Sequence, residues 1–519
     1  MALFADHDRV TAEALAGIGY SNPFLPERVA LERQALGAEF LPSPDIMHWR
    51  PTAPEESYPN FPRLRDRAER IIDSARARLL SDSAHSAHEL LMYEDVALYL
   101  LYARHMPALN GYLSPGNSHA RKSSVQRAWR QFATDFTHYF HPPGCRLPSQ
   151  HDSGHAFAVL VQLHRAFLSI FEYIIGGSMP IARLRAAVWQ SIFSHDMRRY
   201  SRVLYRCLND VPTLILGASG SGKELVARAI GHSRYLHFDV ATESFADGEF
   251  DDFHPLNLSA LAPTLIESEL FGHRRGTFSG ATSDRTGWLE ACGPAGTVFL
   301  DEIGDLDGGI QVKLLRVLQS RVFQRVGETT DRSFRGKIVA ATNRDLADDI
   351  VQGRFREDLY FRLCADIVQT PTLREQLSDS PGDLATLVAF LTQRIIPGDA
   401  AESMSLAAEV VAWIKAQISD DYAWPGNIRE LEQCARNIMI RGSYQPSRRS
   451  GPPADLSGRQ RLAALVARGE LSLDQLICHY TSLAFALDGS YVAAAERLKV
   501  DWRTVRQKLD TSLVSEYRS

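Results

Sequence analysis

A short apolar run, Thr213–Leu216, passes directly into Gly217-Ala218-Ser219-Gly220-Ser221-Gly222-Lys223 and then into the helical pattern ELVARAI. Strand, glycine-rich loop and helix in that order make a P-loop, which commits the surrounding chain to an α/β layer built on a parallel sheet. The glycines let the backbone curl until successive N–H groups and the helix N-terminus face phosphate oxygens, and Lys223 adds a point charge at the β and γ phosphates. A plain glycine-rich turn shares the composition but lacks the flanking strand and helix. One position departs from the motif. Glu224 stands where a Ser or Thr hydroxyl usually meets Mg²⁺, so that ligand has to come from Ser221 or from water.

Two further runs share the texture, GTVFLDEIGD and GKIVAATNRD, each a short apolar stretch ending in polar residues and followed by a helical pattern. Val298–Leu300 ends at Asp301 and Glu302. Downstream of a P-loop this is the Walker B arrangement: Asp301 suits the Mg²⁺ shell and Glu302 suits the attacking water. An acidic pair on a solvated turn looks similar in isolation. The third strand, Ile338–Ala341, ends at Thr342 and Asn343, which places an amide where it can sense the γ-phosphate.

A chain of 519 residues predicts about three or four domains, and 45% hydrophobic with 23% charged residues excludes wholesale disorder. Fifty-seven Lys and Arg against 62 Asp and Glu leave a formal charge of −5, too balanced to draw the whole molecule onto nucleic acid or an anionic membrane, so any DNA contact is local. The six cysteines are scattered without a C-x-x-C pair, which points to reduced thiols rather than a disulfide framework or zinc ribbon. The start, MALFADHDRV, does not read as a secretory signal. The apolar stretch from Ala156 to Ile175 is broken by Gln162, His164, Arg165 and Glu172, so a cytoplasmic chain without a membrane span is expected.

Patterning divides the chain into a helical N-terminal domain (1–175), an α/β subdomain (176–371), a helical lid (372–442), a linker SYQPSRRSGPPADLSG (443–458) and a small helical unit (459–519). Within the first, SPDIMHWRPTAPEESYPNFP is expected as an irregular strap. His138, His141, His151 and His155 invite a metal reading, but Pro142, Pro143 and Gly144 interrupt the spacing and ordinary histidines are expected. In the last unit Ala494 and Ala495 permit close helix crossing, with Leu498, Val500, Val505 and Leu509 as a minimal core. Asp501 is expected to cap the second helix. Arg497, Lys499, Arg503, Arg506 and Lys508 supply a local basic surface, and Thr504 and Gln507 lie among them. This pattern suits a helix-turn-helix contacting DNA, or a helical hairpin used for dimer packing.

The string ESELFGHRRGTFSGATSDRTGWLEACGPAGTVFLDEIGDLDGGIQVKLLRVLQSRVFQRVGE, continued by IVAATNRDL, GRFREDLYFRL and WPGNIREL, resembles the central domain of sigma-54-dependent transcriptional activators, the bacterial enhancer-binding proteins of the AAA+ class. The resemblance covers about residues 175 to 440, and the C-terminal unit resembles the Fis-type helix-turn-helix attached to the same activators. The family's Gly-Ala-Phe-Thr-Gly-Ala loop, which touches the sigma factor, corresponds to Gly276-Thr277-Phe278-Ser279-Gly280-Ala281, with Thr for Ala and Ser for Thr. The resemblance implies that Asn257 switches Glu302, that Arg356 and Arg362 act on a neighbouring subunit's nucleotide, and that Arg429 reaches the nucleotide from the lid. It also implies ATP and Mg²⁺ as cofactors, a hexameric or similar ring, and partners in upstream activator DNA and sigma-54 RNA polymerase holoenzyme. The N-terminal domain lacks the strand and helix alternation of the usual input domains. It is expected to receive an unknown signal from a small ligand or a partner protein. Two competing readings are a DNA-binding repressor with a non-remodelling ATPase domain and an AAA+ remodelling ATPase with another protein substrate. Between Lys223 and Asn257 the chain carries surplus acidic residues (Asp239, Glu243, Asp247, Glu249, Asp251, Asp252) and is expected to form a surface insertion. REQLSDSPGDL in the lid is expected as a stretched loop.

Overall fold

The computed structural model describes residues 2–42, 58–81, 85–113, 118–245, 252–278, 280–446, 458–467 and 471–510, with 513, 514 and 517 beyond them. Residues 43–57 of the expected strap, residues 246–251 of the acidic surplus, Ser279 and most of the linker (447–457) lie outside the described residues. Met1–Gly442 forms one compact unit and Ser443–Ser519 a second.

At the centre of the first unit is a five-stranded sheet of β1 (Thr213–Leu216), β4 (Phe253–Asn257), β5 (Thr297–Asp301), β8 (Lys337–Thr342) and β9 (Asp366–Gln369), in the order β4-β5-β8-β1-β9. Every pairing is parallel. Two short antiparallel pairs stand apart from it, β2 (Phe238–Asp239) with β3 (Ser244–Phe245) and β6 (Val322–Phe323) with β7 (Arg332–Ser333). The period of two in the strands divides their side chains between two apolar cores. Ile215, Phe299, Val339 and Ala341 enter one core with α7 (Met179–Phe193), α9 (Lys223–Gly231) and part of α6 (Ser153–Tyr173). Leu214, Val298, Leu300, Ile338 and Ala340 enter the other with α10 (Pro263–Phe271), α12 (Gly308–Ser320) and α14 (Glu357–Leu363). The parallel α/β core expected from the strand ends is therefore present, with its chemistry on one edge because all five strands end there.

Helices α1 (Asp6–Tyr20), α2 (Pro26–Leu36), α3 (Asn60–Ser81), α4 (Ala87–Leu113) and α5 (Ser118–Phe140) precede α6. The N-terminal half of α6 gives Phe157, Ala158, Leu160 and Val161 to the core of these helices; its C-terminal half gives Ala166, Phe167, Ile170 and Phe171 to the core against the sheet. By length and composition α6 could cross a membrane, but 72% of its apolar window is buried inside the protein. The polar residues that interrupt it are used: Gln162 donates to the Ser233 carbonyl at 3.0 Å and Arg165 to the Arg234 carbonyl at 3.0 Å. The surplus segment is only partly a surface feature. Asp239 is exposed, but Phe238 and Phe245 are 2% and 6% exposed and pack with Trp129 and Phe157, so the β2–β3 pair grips the helical layer. Burying two phenylalanine rings stabilises such a contact by about 1.5–3 kcal/mol each.

Helix α8 (Met197–Arg202) leads towards the P-loop, and α11 (Trp288–Ala291) and α13 (Leu346–Val351) complete the α/β layer. The lid follows as α15 (Leu373–Asp379), α16 (Asp383–Ile395), α17 (Ala400–Gln417) and α18 (Asn427–Arg441). The segment expected as a stretched loop does structural work instead. Asp383 accepts from the Gly177 and Ser178 amides at 2.7 and 3.0 Å, and Asp379 accepts from the Met179 amide at 2.7 Å, which ties the lid to the start of α7.

Lys337 opens β8 and is 3% exposed, its Nζ donating to the Val211 carbonyl at 2.8 Å. Burial, helped by Arg234 and Arg321 and opposed by Asp366, lowers its pKa from 10.5 to about 7. Between those values the unfolded chain holds a proton that the folded one lacks, so stability from this site rises with pH across that window. Lys337→Met is expected to flatten that rise and to gain on the wild type towards pH 7, read by urea unfolding at pH 7 and pH 9.

In the second unit α19 (Gly458–Ala467) precedes α20 (Leu473–Asp488), α21 (Tyr491–Leu498) and α22 (Trp502–Lys508). Ala484, Ala494, Ala495 and Val505 form its buried core with Leu498 partly buried against it, whereas Val500 is 43% exposed. Lys499 takes a left-handed φ of 54° at the turn, which points the following Val500 outward rather than into the expected core. Asp501 caps α22 as expected, accepting from the Arg503 amide at 2.8 Å.

Candidate functional site

The loop after β1 is held by partners on both sides. Gly217, Gly220 and Gly222 have φ of 157°, 75° and 93°, and Gly222 leads into α9 from the left-handed region. A Cβ on Gly217 would lie 1.9 Å from Thr370 Oγ1, and one on Gly220 would lie 2.3 Å from the Gly426 carbonyl oxygen. The loop is therefore pinched between the end of β9 and the lid. Ser221 Oγ donates to the Ala218 carbonyl at 2.7 Å and shares a hydrogen bond of 2.7 Å with Thr370 Oγ1, so this hydroxyl serves loop shape. Glu224 points away to pair with Arg228 at 2.8 Å. Lys223 is 7% exposed, and its Nζ donates to the Gly217 carbonyl at 3.0 Å and lies 3.8 Å from Glu302.

The lid closes on this loop through residues of the WPGNIREL run. Asn427 donates to the Ser219 carbonyl at 3.0 Å and accepts from the Leu373 amide at 2.9 Å. The Ile428 amide donates to the Gly220 carbonyl at 3.0 Å, and Arg429 donates to Ser219 Oγ at 3.1 Å. Arg429 thus stands beside the P-loop. Thr370 and Asn427 were not among the expected site residues.

Parallel register brings the other strand ends to the same edge. Asn257 lies opposite Asp301, and its Nδ2 reaches Asp301 Oδ2 at 3.5 Å while its Oδ1 accepts from Ser259. Glu302 has φ of 56° and accepts from the Asn343 amide at 3.2 Å. The structure therefore brings Asn257 to Asp301, not to Glu302, and engages Glu302 through the Asn343 main chain. Burial and the neighbouring Glu302 push the Asp301 carboxyl up, with Lys223 opposing. A carboxylate so placed gains from a cation at the strand ends. Gly220, Ser221, Gly222 and Lys223 can hold phosphates, Asp301 can hold Mg²⁺, and the donor set fits both without a hydroxyl at position 224.

Arg356 and Arg362 sit at the start and within α14, both exposed. Arg356 pairs with Asp358 at 2.7 Å and its amide donates to Gln311 Oε1 at 2.8 Å. In the Gly276–Ala281 loop, Gly276 and Gly280 have φ of 81° and 116°, the Gly276 amide donates to the Ala281 carbonyl at 2.8 Å, and Ala281 donates back to the Phe278 carbonyl at 3.0 Å. Phe278 is half-buried, its ring 4.9 Å from His273 edge to face, so the aromatic is parked rather than free. Thr277 donates to the Val326 carbonyl at 3.3 Å.

On the second unit, Arg503, Thr504, Arg506 and Gln507 are exposed on α22 around buried Val505. Arg497 is occupied by Asp488 at 2.6 Å and Lys508 lies 3.4 Å from Asp474. Lys499 stands exposed at the turn between α21 and α22. Among the four histidines that invited a metal reading, His155 bonds Tyr235 Oη at 2.8 Å and the Ser201 carbonyl at 2.5 Å, and burial lowers His151 to about 4.

A P-loop after the fourth strand in sheet order, a Walker acid pair two strands away, an amide sensor between them and a helical lid bonded to the loop define an AAA+ P-loop protein. Residues 193–368 match the family described as the sigma-54 interaction domain. The chain is 38% identical over 308 residues to the transcriptional regulatory protein ZraR of Klebsiella oxytoca, covering 58% of this chain and 63% of that protein. It is 41% identical over 227 residues to the Nif-specific regulatory protein of Azotobacter vinelandii (44% and 39%), and 41% identical over 282 residues to the DNA-binding transcriptional regulator NtrC of Azospirillum brasilense (53% and 54%). The chain thus spans less than two thirds of the length of each of these relatives. Among solved structures, NtrX of Brucella abortus in complex with ATP aligns at 22% identity over 76% of this chain and 87% of that one, with a TM-score of 0.39.

Proposed function

We propose that the protein is an ATP-driven, cytoplasmic transcription activator: α22 docks on upstream DNA, protomers assemble into a ring, and hydrolysis drives the Phe278 loop against sigma-54 RNA polymerase to open the promoter. The observation that carries this reading is the Gly276–Ala281 loop, parked on His273 within a matched sigma-54 interaction domain that also holds a P-loop and a Walker acid pair. The glycines flanking Phe278 supply the left-handed turns that let such a loop extend and withdraw. In the ring, Lys223, Arg429 and the loop amides bind the phosphates, Glu302 orients and deprotonates water, and Arg356 and Arg362 act on the neighbour's site. Mg²⁺ held by Asp301 would neutralise phosphate charge. Exposed Arg503, Arg506, Thr504 and Gln507 support α22 as the reading helix. Residues 1–175 serve as the input region.

Promoter opening on duplex DNA with sigma-54 RNA polymerase tests this. Phe278→Ala is expected to reduce opening by roughly 100-fold, the scale of losing a buried aromatic anchor, while ATP turnover persists. Opening by Phe278→Ala equal to wild type, together with failure to capture isolated sigma-54 in the presence of ADP and a metal fluoride, would favour a different protein substrate. A wild type that binds DNA and hydrolyses ATP without opening any promoter would favour a repressor.

A further inference from the structure

We propose that Asp252, His254 and Cys292 bind a divalent cation of the zinc type, at the end of the sheet opposite the P-loop. One ligand atom from each residue lies within 4.8 Å of the other two. An ion in their midst is then no farther than about 2.8 Å from any of the three, and a closure of about half an ångström gives the roughly 2.0–2.3 Å of zinc to oxygen, nitrogen and sulfur. The topology assembles the cluster. Asp252 immediately precedes β4 and His254 is the second residue of that strand, whereas Cys292 ends α11 ahead of β5. The two strands pair in parallel with Phe253 opposite Thr297, so the start of one lies against the turn that leads into the other.

The three side chains are held in place by their surroundings. His254 Nε2 and Asp252 Oδ1 share a hydrogen bond of 2.5 Å, the Gly293 amide donates to Asp252 Oδ2 at 2.7 Å, and the Cys292 thiol donates to the Gly293 carbonyl at 3.6 Å. The His254 ring rests on Trp288 with centroids 5.0 Å apart, which fixes its orientation. Backbone without side chains makes room for the ligand atoms. A Cβ on Gly296 would lie 2.2 Å from Asp252 Oδ2 and 2.8 Å from Cys292 Sγ, one on Gly293 2.9 Å from Asp252 Oδ2, and one on Gly336 2.5 Å from Cys292 Sγ. Cys292 is 7% exposed while the Asp252 and His254 side chains are 16% and 17% exposed, so the sulfur sits at the closed end and an ion enters past the other two.

The donor set selects the ion. One sulfur, one imidazole and one carboxylate suit zinc, whereas Mg²⁺ and Ca²⁺ take oxygen ligands. Binding releases the Cys292 thiol proton to solvent and seats the ion where the His254–Asp252 hydrogen bond lies, with water in the fourth position. Thiolate and carboxylate then carry two negative charges, which a dication neutralises in a site too enclosed to hydrate them. The ion staples the start of β4 to the turn between α11 and β5, behind the two strands that end at Asn257 and Asp301. Binding of this kind is independent of the proposed ATP hydrolysis.

Co²⁺ titrated into the full, untagged, reduced chain tests the site, because a cobalt–thiolate bond absorbs in the near ultraviolet and cobalt on oxygen ligands alone does not. One equivalent of Co²⁺ is expected to produce the band, one equivalent of Zn²⁺ to bleach it and to raise the melting temperature, and millimolar Mg²⁺ to leave it unchanged. His254→Gln is expected to weaken cobalt binding by at least about 100-fold, more than the loss of an outer-shell partner, with the metal-free chain still folded. Cys292→Ser is expected to remove the band, and Cys207→Ser, at an exposed thiol, to keep it. Absence of the band at a large excess of Co²⁺, its survival in His254→Gln or in Cys292→Ser, or its loss to Mg²⁺ overturns the proposal. Should Cys292→Ser fail to fold, His254→Gln decides alone.

Discussion

Glu302→Gln is expected to slow ATP turnover by about 10²–10⁴-fold, the usual contribution of a positioned general base, and to leave nucleotide affinity nearly unchanged. The expectation follows from what holds the side chain. Glu302 follows the last residue of β5 at a left-handed φ of 56°, its own amide donating to Asp301 Oδ1 at 3.1 Å. Its carboxylate accepts from the Asn343 amide at 3.2 Å and lies 3.8 Å from Lys223 Nζ. Glutamine keeps the length and one acceptor for the Asn343 amide, so the strand end and the loop stay in place while basicity is lost. Phosphate release and equilibrium binding of a fluorescent ATP analogue separate the two. Turnover within a few-fold of wild type would remove Glu302 from the chemistry. Asp301→Asn is the contrasting change, expected to raise the Mg²⁺ concentration needed for turnover.

The second large effect concerns assembly. Arg362→Ala is expected to lower turnover by roughly 10³–10⁵-fold, the range seen for an arginine supplied in trans. Lys223→Ala is expected to be comparably inactive, because it removes the one charge buried in the loop. Mixed together, the two inactive variants are expected to recover activity. Some interfaces then pair an intact loop from the Arg362→Ala protomer with intact arginines from the Lys223→Ala protomer. The exposure of both arginines on α14, with Arg356 paired to Asp358 two residues away, is what such a role requires. Turnover per protomer should also rise with protein concentration. Mixtures as dead as their components would place the arginines in the chemistry of their own chain or outside it.

Much of the sheet was legible because its strands are short, apolar and punctuated by the residues that carry chemistry. Thr213–Leu216 and Thr297–Asp301 end where the motifs begin, and parallel order then gathers the motifs on one edge. What escaped was long-range packing. Thr370 reaches Ser221 across 149 positions of sequence and Asn427 reaches Ser219 across 208, and no local pattern encodes either contact. Gly217 and Gly220 carried a trace of them, since each lacks a side chain where another element presses in. Asn257 was placed on the right edge, but strand register, invisible to motif matching, turned it towards Asp301. The acids of the surplus segment advertised a surface, and the two phenylalanines that anchor it were read past. In the C-terminal unit a single left-handed residue, Lys499, reversed the fate of Val500.

The grip of Phe238 and Phe245 on Trp129 and Phe157, with α6 shared between two cores, bears on how such a chain evolves. Input modules joined by tethers can be exchanged between motors like interchangeable plugs. Here the plug and the socket were cast together: severing the chain ahead of α7 would strip greasy aromatic surface bare on both pieces, and a transplanted front half would find no matching rings on a foreign engine. The two halves of this chain must drift in step, each substitution on one face selecting for its complement on the other.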